Sequence, residues 1–303
     1  MKASTGTSNL RARSAAPPAR TDSSSSTDEA FRLDGPSRPI DERIHAWRKD
    51  LADIALAGRI FAPHYARPLP RGCGSHAAPL RAAPAAESAV VSELLPGEEF
   101  AVLEYAGGWA WGFCAADHMV GYVEAIALVD PIAPTHIVCE KSAPVAATDD
   151  ISAAIIATLP MAARLHGHES GGCLATEYGC VALSHLRRID DPEADPVVVA
   201  ERLIGTPWRD GGRSQEGIDA AGLVQLALTL CGLSAPRLPD QLAAFGSPLP
   251  ASAPARRGDL VLFDGGAGLM IDDLMMIHAS AAAGKVTVEP AALHPGQRRR
   301  LPL

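Results

Sequence analysis

The chain has 303 residues, 47% of them hydrophobic and 20% charged. That is enough apolar material for real cores, and the length suits two or three domains. Its 27 basic and 35 acidic residues give a net charge of −8, which argues against a general nucleic-acid binder. No run approaches the ~18 apolar residues that a membrane span requires.

The first residues, Met1-Lys2-Ala3-Ser4-Thr5, are polar, and no apolar region of the signal-peptide kind follows. A cytoplasmic location is therefore expected. The six cysteines (Cys73, Cys114, Cys139, Cys173, Cys180, Cys231) contain no Cys-x-x-Cys. In a reducing compartment they read as free thiols and small core residues.

Residues 1 to 35 form a Ser/Ala/Pro/Arg-rich leader, expected to be disordered because it has little apolar surface to bury. From 36 to 68 the spacing of Ile44, Trp47, Leu51 and Ile54 predicts a helical segment, with Asp41 before it and Gly58 after it. Two β-rich stretches follow, 69 to 130 and 131 to 191. Ala83-Pro84, Leu95-Pro96 and Leu128 of the first recur about sixty residues later as Ala143-Pro144, Leu159-Pro160 and Leu186. A near-constant offset of that size suggests a duplicated all-β module, and short strands between Gly/Pro turns suit small barrels.

The acidic stretch Asp190-Asp191-Pro192-Glu193 marks a domain boundary, and the last unit spans 195 to 303. Val197 to Ile204 reads as a helix. A second, mostly buried helix covers Ile218 to Leu230, with Asp219 as a good N-cap. Residues 248 to 254 read as a Pro-rich linker. Four strands are expected near 259–263, 269–271, 275–279 and 286–289, and Arg298-Arg299-Arg300 reads as a solvated basic tail. A helix on an antiparallel meander gives the fold class α+β.

The phrases of this last unit resemble the NlpC/p60 family of bacterial cell-wall cysteine peptidases. They are Gly205-Thr206-Pro207-Trp208, Gly211-Gly212-Arg213-Ser214, Gly217-Ile218-Asp219, Gly222-Leu223-Val224-Gln225, Ala235-Pro236-Arg237, Gly258-Asp259-Leu260-Val261 and Ile277-His278-Ala279-Ser280. Trp109-Ala110-Trp111-Gly112 and Gly121-Tyr122-Val123 resemble a bacterial SH3-like barrel. The resemblance implies two SH3-like β-barrels before a papain-like domain, as in murein-peptide γ-D-glutamyl-L-diamino acid endopeptidases. It implies a murein peptide or a protein partner; no cofactor or metal is expected.

Thiol peptidase chemistry requires a thiolate at a helix N-terminus, an imidazole base, and a third group that orients the imidazole. By the resemblance, the nucleophile position is Ala220 and the base position is Gly266. The third, orienting position keeps His278. An alanine and a glycine cannot do this chemistry, so the chain reads as an inactive relative. An enzyme with residual or altered cell-wall peptidase activity is the alternative.

Cys231 lies eleven residues beyond Ala220, roughly 16 Å along one helix, and reads as a core residue. Ser214 sits in the Gly-rich loop with no evident base, and His294 lies past the last strand near Pro295-Gly296. The resemblance assigns recognition of a substrate amine to Asp219, with Tyr122 and either Glu98 or Glu99 as helpers and Trp208 lining the cleft. Each also has a plain reading as a cap, strand or turn residue, and His278 as an ordinary strand histidine. Asp210 stands where the family usually has an aromatic. A zinc set of His166, His168, Cys173 and Cys180 is set aside on its spacing. Gly211-Gly212-Arg213-Ser214 lacks the Gly-Lys-Ser/Thr ending of a phosphate loop.

Overall fold

The structure is a computed structural model and describes residues 40–148 and 153–302. The expected leader, 1 to 35, lies outside the described residues. The described chain is mostly sheet, with few helices.

The segment from Ile40 to Pro68 is not the helix that its apolar spacing predicts. It holds a short parallel pair, Leu51–Asp53 with His64–Ala66, around a single 3-10 turn at Ile54–Leu56. Ile44 is drawn onto the core of the following sheet, and Trp47 pairs across to Ala52. These tertiary contacts use the apolar residues that a helix would have aligned, and packing overrides periodicity.

Residues 69–129 form a seven-stranded antiparallel sheet. Its order is Val90–Leu94, Ala78–Arg81, Val120–Glu124, Trp109–Cys114, Glu99–Ala106, Leu69–Cys73 and Leu128–Val129. It closes over a core of Leu80, Leu94, Phe100, Val102 and Val123.

Residues 136–188 make a second β unit of a three-stranded and a five-stranded sheet around Val138, Val145, Leu159, Leu174 and Val181. Here the expectation of six free thiols fails. The hairpin of Cys173–Thr176 and Gly179–Ala182 brings Cys173 and Cys180 to adjacent strands with Cα atoms 5.9 Å apart, and they form a disulfide.

The last unit holds α1 (Pro196–Arg202), α2 (Ala220–Leu230) and the short α3 (Pro239–Leu242). A six-stranded antiparallel sheet runs Ser247–Leu249, Gly296–Arg300, Leu260–Phe263, Gly266–Met270, Met275–Ser280 and Lys285–Pro290. The four expected strands are present. The expected linker and solvated tail instead supply the other two, which pair with each other. Arg300 is held there by Asp259 at 2.8 and 2.9 Å, and Arg299 donates to the Phe245 carbonyl.

Helix α2 is buried at ten of its eleven residues. It shares one core with α1, with the sheet residues Leu260, Leu269 and Ile277, and with Leu95, Ile137 and Met161 from upstream. The first β unit is also fixed to the last by buried charge. Arg213 donates to Glu98 through two 3.0 Å bonds, and the side chains are 3% and 6% exposed. Glu93 accepts from the Arg213 backbone amide at 2.6 Å and pairs with Arg209.

Candidate functional site

The N-terminus of α2 faces an open cleft of about 780 Å³ between the first β unit, the N-terminal segment and the last unit. Asp219 builds this corner. Its Oδ1 accepts from the Gly222 amide at 2.7 Å, which caps the helix; such caps contribute ~1 kcal/mol. Its Oδ2 accepts from the Gly211 amide at 3.0 Å. The buried guanidinium of Arg237 donates to both oxygens, at 3.0 and 2.6 Å. Four donors therefore occupy the carboxylate. Gly211 has φ +72°, and a Cβ there would meet the Val90 carbonyl at 2.5 Å, so only glycine lets this loop touch the first β unit.

Of the sequence-derived residues, Ala220, Gly266, Asp219, Tyr122, Trp208 and Asp210 all line the cleft. Ala220 opens α2 and is 9% exposed, so the expected nucleophile position faces the cleft with a methyl group. Gly266 stands at the end of a tight hairpin in which it pairs with Phe263. A Cβ at Gly266 would lie 2.4 Å from Cε2 and Cζ of Phe263. The phenyl ring thus fills the space where a base side chain would begin.

Phe263 also packs edge-on against His278, with ring centroids 5.6 Å apart. His278 sits on Met275–Ser280, is 2% exposed and does not line the cleft. Its Nδ1 is buried without a partner, while Nε2 lies 3.0 Å from Glu289. Burial holds the imidazole below the usual histidine range, and the Glu289 contact opposes this in part.

Tyr122 receives a hydrogen bond from Arg48 at 3.4 Å. Arg48 lies 4.5 Å over the Trp111 ring and pairs with Asp50 and Glu104. This closing of the cleft by the N-terminal segment was missed in the sequence, because the residues are 56 to 74 positions apart. Glu98 is not a cleft residue; it is committed to Arg213. Glu99 is exposed at the start of its strand and lies outside the cleft lining.

No cysteine, serine, threonine or histidine lines the cleft among the described residues. Cys231 caps the far end of α2, and burial beside Glu193 and Asp195 pushes its thiol up to about 11. Ser214 is buried against Arg209.

The NlpC/P60 family profile matches residues 205–299, and the bacterial dipeptidyl-peptidase Sh3 domain profile matches residues 80–128. The peptidoglycan endopeptidase RipB of Mycobacterium tuberculosis is 38% identical over 85 residues, 27% of this chain and 35% of RipB. Dipeptidyl-peptidase 6 of Lysinibacillus sphaericus is 35% identical over 94 residues, 30% of this chain and 34% of that protein. The matches thus span about a third of these relatives' lengths. A crystal structure of a NlpC/P60 family protein from Bacillus cereus superposes with TM-score 0.66 at 16% identity, covering 77% of this chain and 99% of that one. The chain therefore carries an NlpC/P60 domain preceded by an SH3 domain and is homologous to peptidoglycan endopeptidases.

Proposed function

We propose that this chain is a catalytically inactive relative of the murein-peptide γ-D-glutamyl-L-diamino acid endopeptidases. It keeps the cleft and binds a murein peptide there rather than hydrolysing it. One observation carries the reading: an open cleft meets the N-terminus of α2, yet among the described residues its lining offers no thiol, no serine or threonine hydroxyl and no imidazole. Thiolate, base and orienting group act as a unit. Here the first is a methyl group, the second is bare backbone under a phenyl ring, and the third is turned to Glu289. We read residues 131 to 191 as a second SH3-like barrel with its own core, related to the first by the sixty-residue offset.

The charge of the cleft supports an amine-bearing ligand. Arg43, Arg48 and Arg237 are each held by carboxylates. Glu42 and Asp210 line the cleft with no ion-pair partner among the described residues. Asp219 is already neutralised by Arg237, so Asp210 and Glu42 are the carboxylates free to meet an ammonium group.

Calorimetry tests this with L-Ala-γ-D-Glu-diaminopimelate and its N-acetylated form. The reading expects binding of the free amine, weaker binding of the acetylated peptide, and weaker binding by Asp210→Asn. No binding of the free peptide would overturn it and leave a protein partner as the occupant.

A further inference from the structure

We propose that His278, Glu289 and His294 form a binding site for a zinc-class divalent cation, separate from the cleft. The donors come from three places: His278 on Met275–Ser280, Glu289 on the neighbouring strand Lys285–Pro290, and His294 just beyond the turn Ala291–Leu293. Strand pairing sets His278 opposite Thr287 and Met276 opposite Glu289. The period of two therefore puts His278 and Glu289 on one face, one diagonal step apart.

The ring nitrogens converge on a single oxygen. Nε2 of His278 and Nε2 of His294 lie 3.0 and 2.7 Å from Oε2 of Glu289. One donor atom from each residue falls within 4.8 Å of the others. Zinc bonds of ~2.0–2.1 Å in a tetrahedral set separate the ligands by roughly 3.3 Å. An outward movement of a few tenths of an ångström would admit the ion, and the partly exposed Glu289 and His294 have room to make it.

Two imidazoles and a carboxylate are the donor chemistry of zinc and its first-row neighbours rather than of calcium or magnesium. The partial exposure leaves a fourth position for water.

Binding through Nε2 places the ring proton of His278 on the buried Nδ1, which has no hydrogen-bond partner. The Phe263 ring, 4.6 Å from His294 and 5.6 Å from His278, backs both imidazoles and lies between them and the cleft. The ion would therefore tie the His294 turn to the sheet rather than act on a ligand in the cleft.

The test is titration of the metal-stripped full chain with Zn²⁺ by calorimetry, and with Co²⁺ by visible absorption. The expected result is one cation per chain, with the intense d–d bands of a four- or five-coordinate site. Loss of outer partners of a metal site already weakens binding about 10–100-fold, so His294→Ala and Glu289→Gln, which remove ligands, should each weaken it by at least that factor. The surface control His166→Ala with His168→Ala should bind as the parent does. Glu289→Gln preserves shape and serves if His294→Ala does not fold. Absence of stoichiometric binding, or equal affinity in Glu289→Gln and the parent, would overturn the proposal.

Discussion

Replacing Arg213 with methionine should strip the first β unit of its main polar anchor. The Arg213–Glu98 pair is buried on both sides and joined by two 3.0 Å bonds. Arg213 also donates to the Glu93 carbonyl at 2.8 Å. After the change, Glu98 keeps the Leu95 amide at 2.9 Å and otherwise stands as a buried carboxylate without a counter-charge. Removing one partner of such a pair costs about 3–5 kcal/mol. At about 2 °C per kcal/mol for a chain this long, Tm should fall by roughly 6–10 °C. Adding Glu98→Leu removes the stranded charge, and an apolar pair of similar volume is close to neutral. The double variant should recover most of the loss. Thermal unfolding of the two single variants, the double variant and the parent, followed by circular dichroism, gives the coupling directly. A drop below about 2 °C in Arg213→Met would refute the reasoning that this pair is desolvated.

Three further outcomes follow from the same geometry. Ala220→Cys with Gly266→His should not restore hydrolysis of L-Ala-γ-D-Glu-diaminopimelate, because the new Cβ at 266 would meet Phe263 at 2.4 Å. Adding Phe263→Ala makes room for the imidazole; turnover in the double variant equal to that in the triple one would contradict the blocking role of the ring. The Ala220→Cys thiol, at a helix N-terminus, should react with iodoacetamide at pH 7.5 at least ~10-fold faster than Cys231, since the helix end favours thiolate and burial opposes it. Equal rates, measured by peptide mass spectrometry, would count against the helix-end geometry. The lowered His278 pKa means that the folded state binds fewer protons than the unfolded state below the ordinary value of 6.5. The corresponding stability is present above 6.5 and is lost as pH falls below it, by at most about 1.4 kcal/mol per pH unit. Urea titrations from pH 7 to 5 should show a shallower slope in His278→Gln; an unchanged slope would contradict the assigned shift.

Much of the last unit was legible because its signals are local. Asp219 ahead of an apolar run gives the N-cap of α2, and Gly-Asp-Leu-Val opens a strand as expected. Ala220, Gly266, Trp208 and Tyr122 fall in one cleft because the order of phrases carries the fold with it. What was misread depended on distant partners. The spacing of Ile44, Trp47, Leu51 and Ile54 is helical, but Ile44 and Trp47 are spent on the neighbouring sheet and on the cleft. Arg298 to Arg300 look solvated in isolation and become strand residues only against Leu260–Phe263 and Ser247–Leu249. Glu98 meets Arg213 across 115 positions. The His278, Glu289 and His294 donors share no ligand spacing; pairing of the two strands and the turn after them bring them together.

Mass-spectrometric following of L-Ala-γ-D-Glu-diaminopimelate incubated with the purified protein, beside a homologous peptidase as positive control, bears most directly on the proposed loss of catalysis. Intact peptide over the whole time course, with product from the control alone, is the predicted result. Product that persists in Cys231→Ser and vanishes in His278→Ala would show that some other group attacks the bond, and would contradict the account.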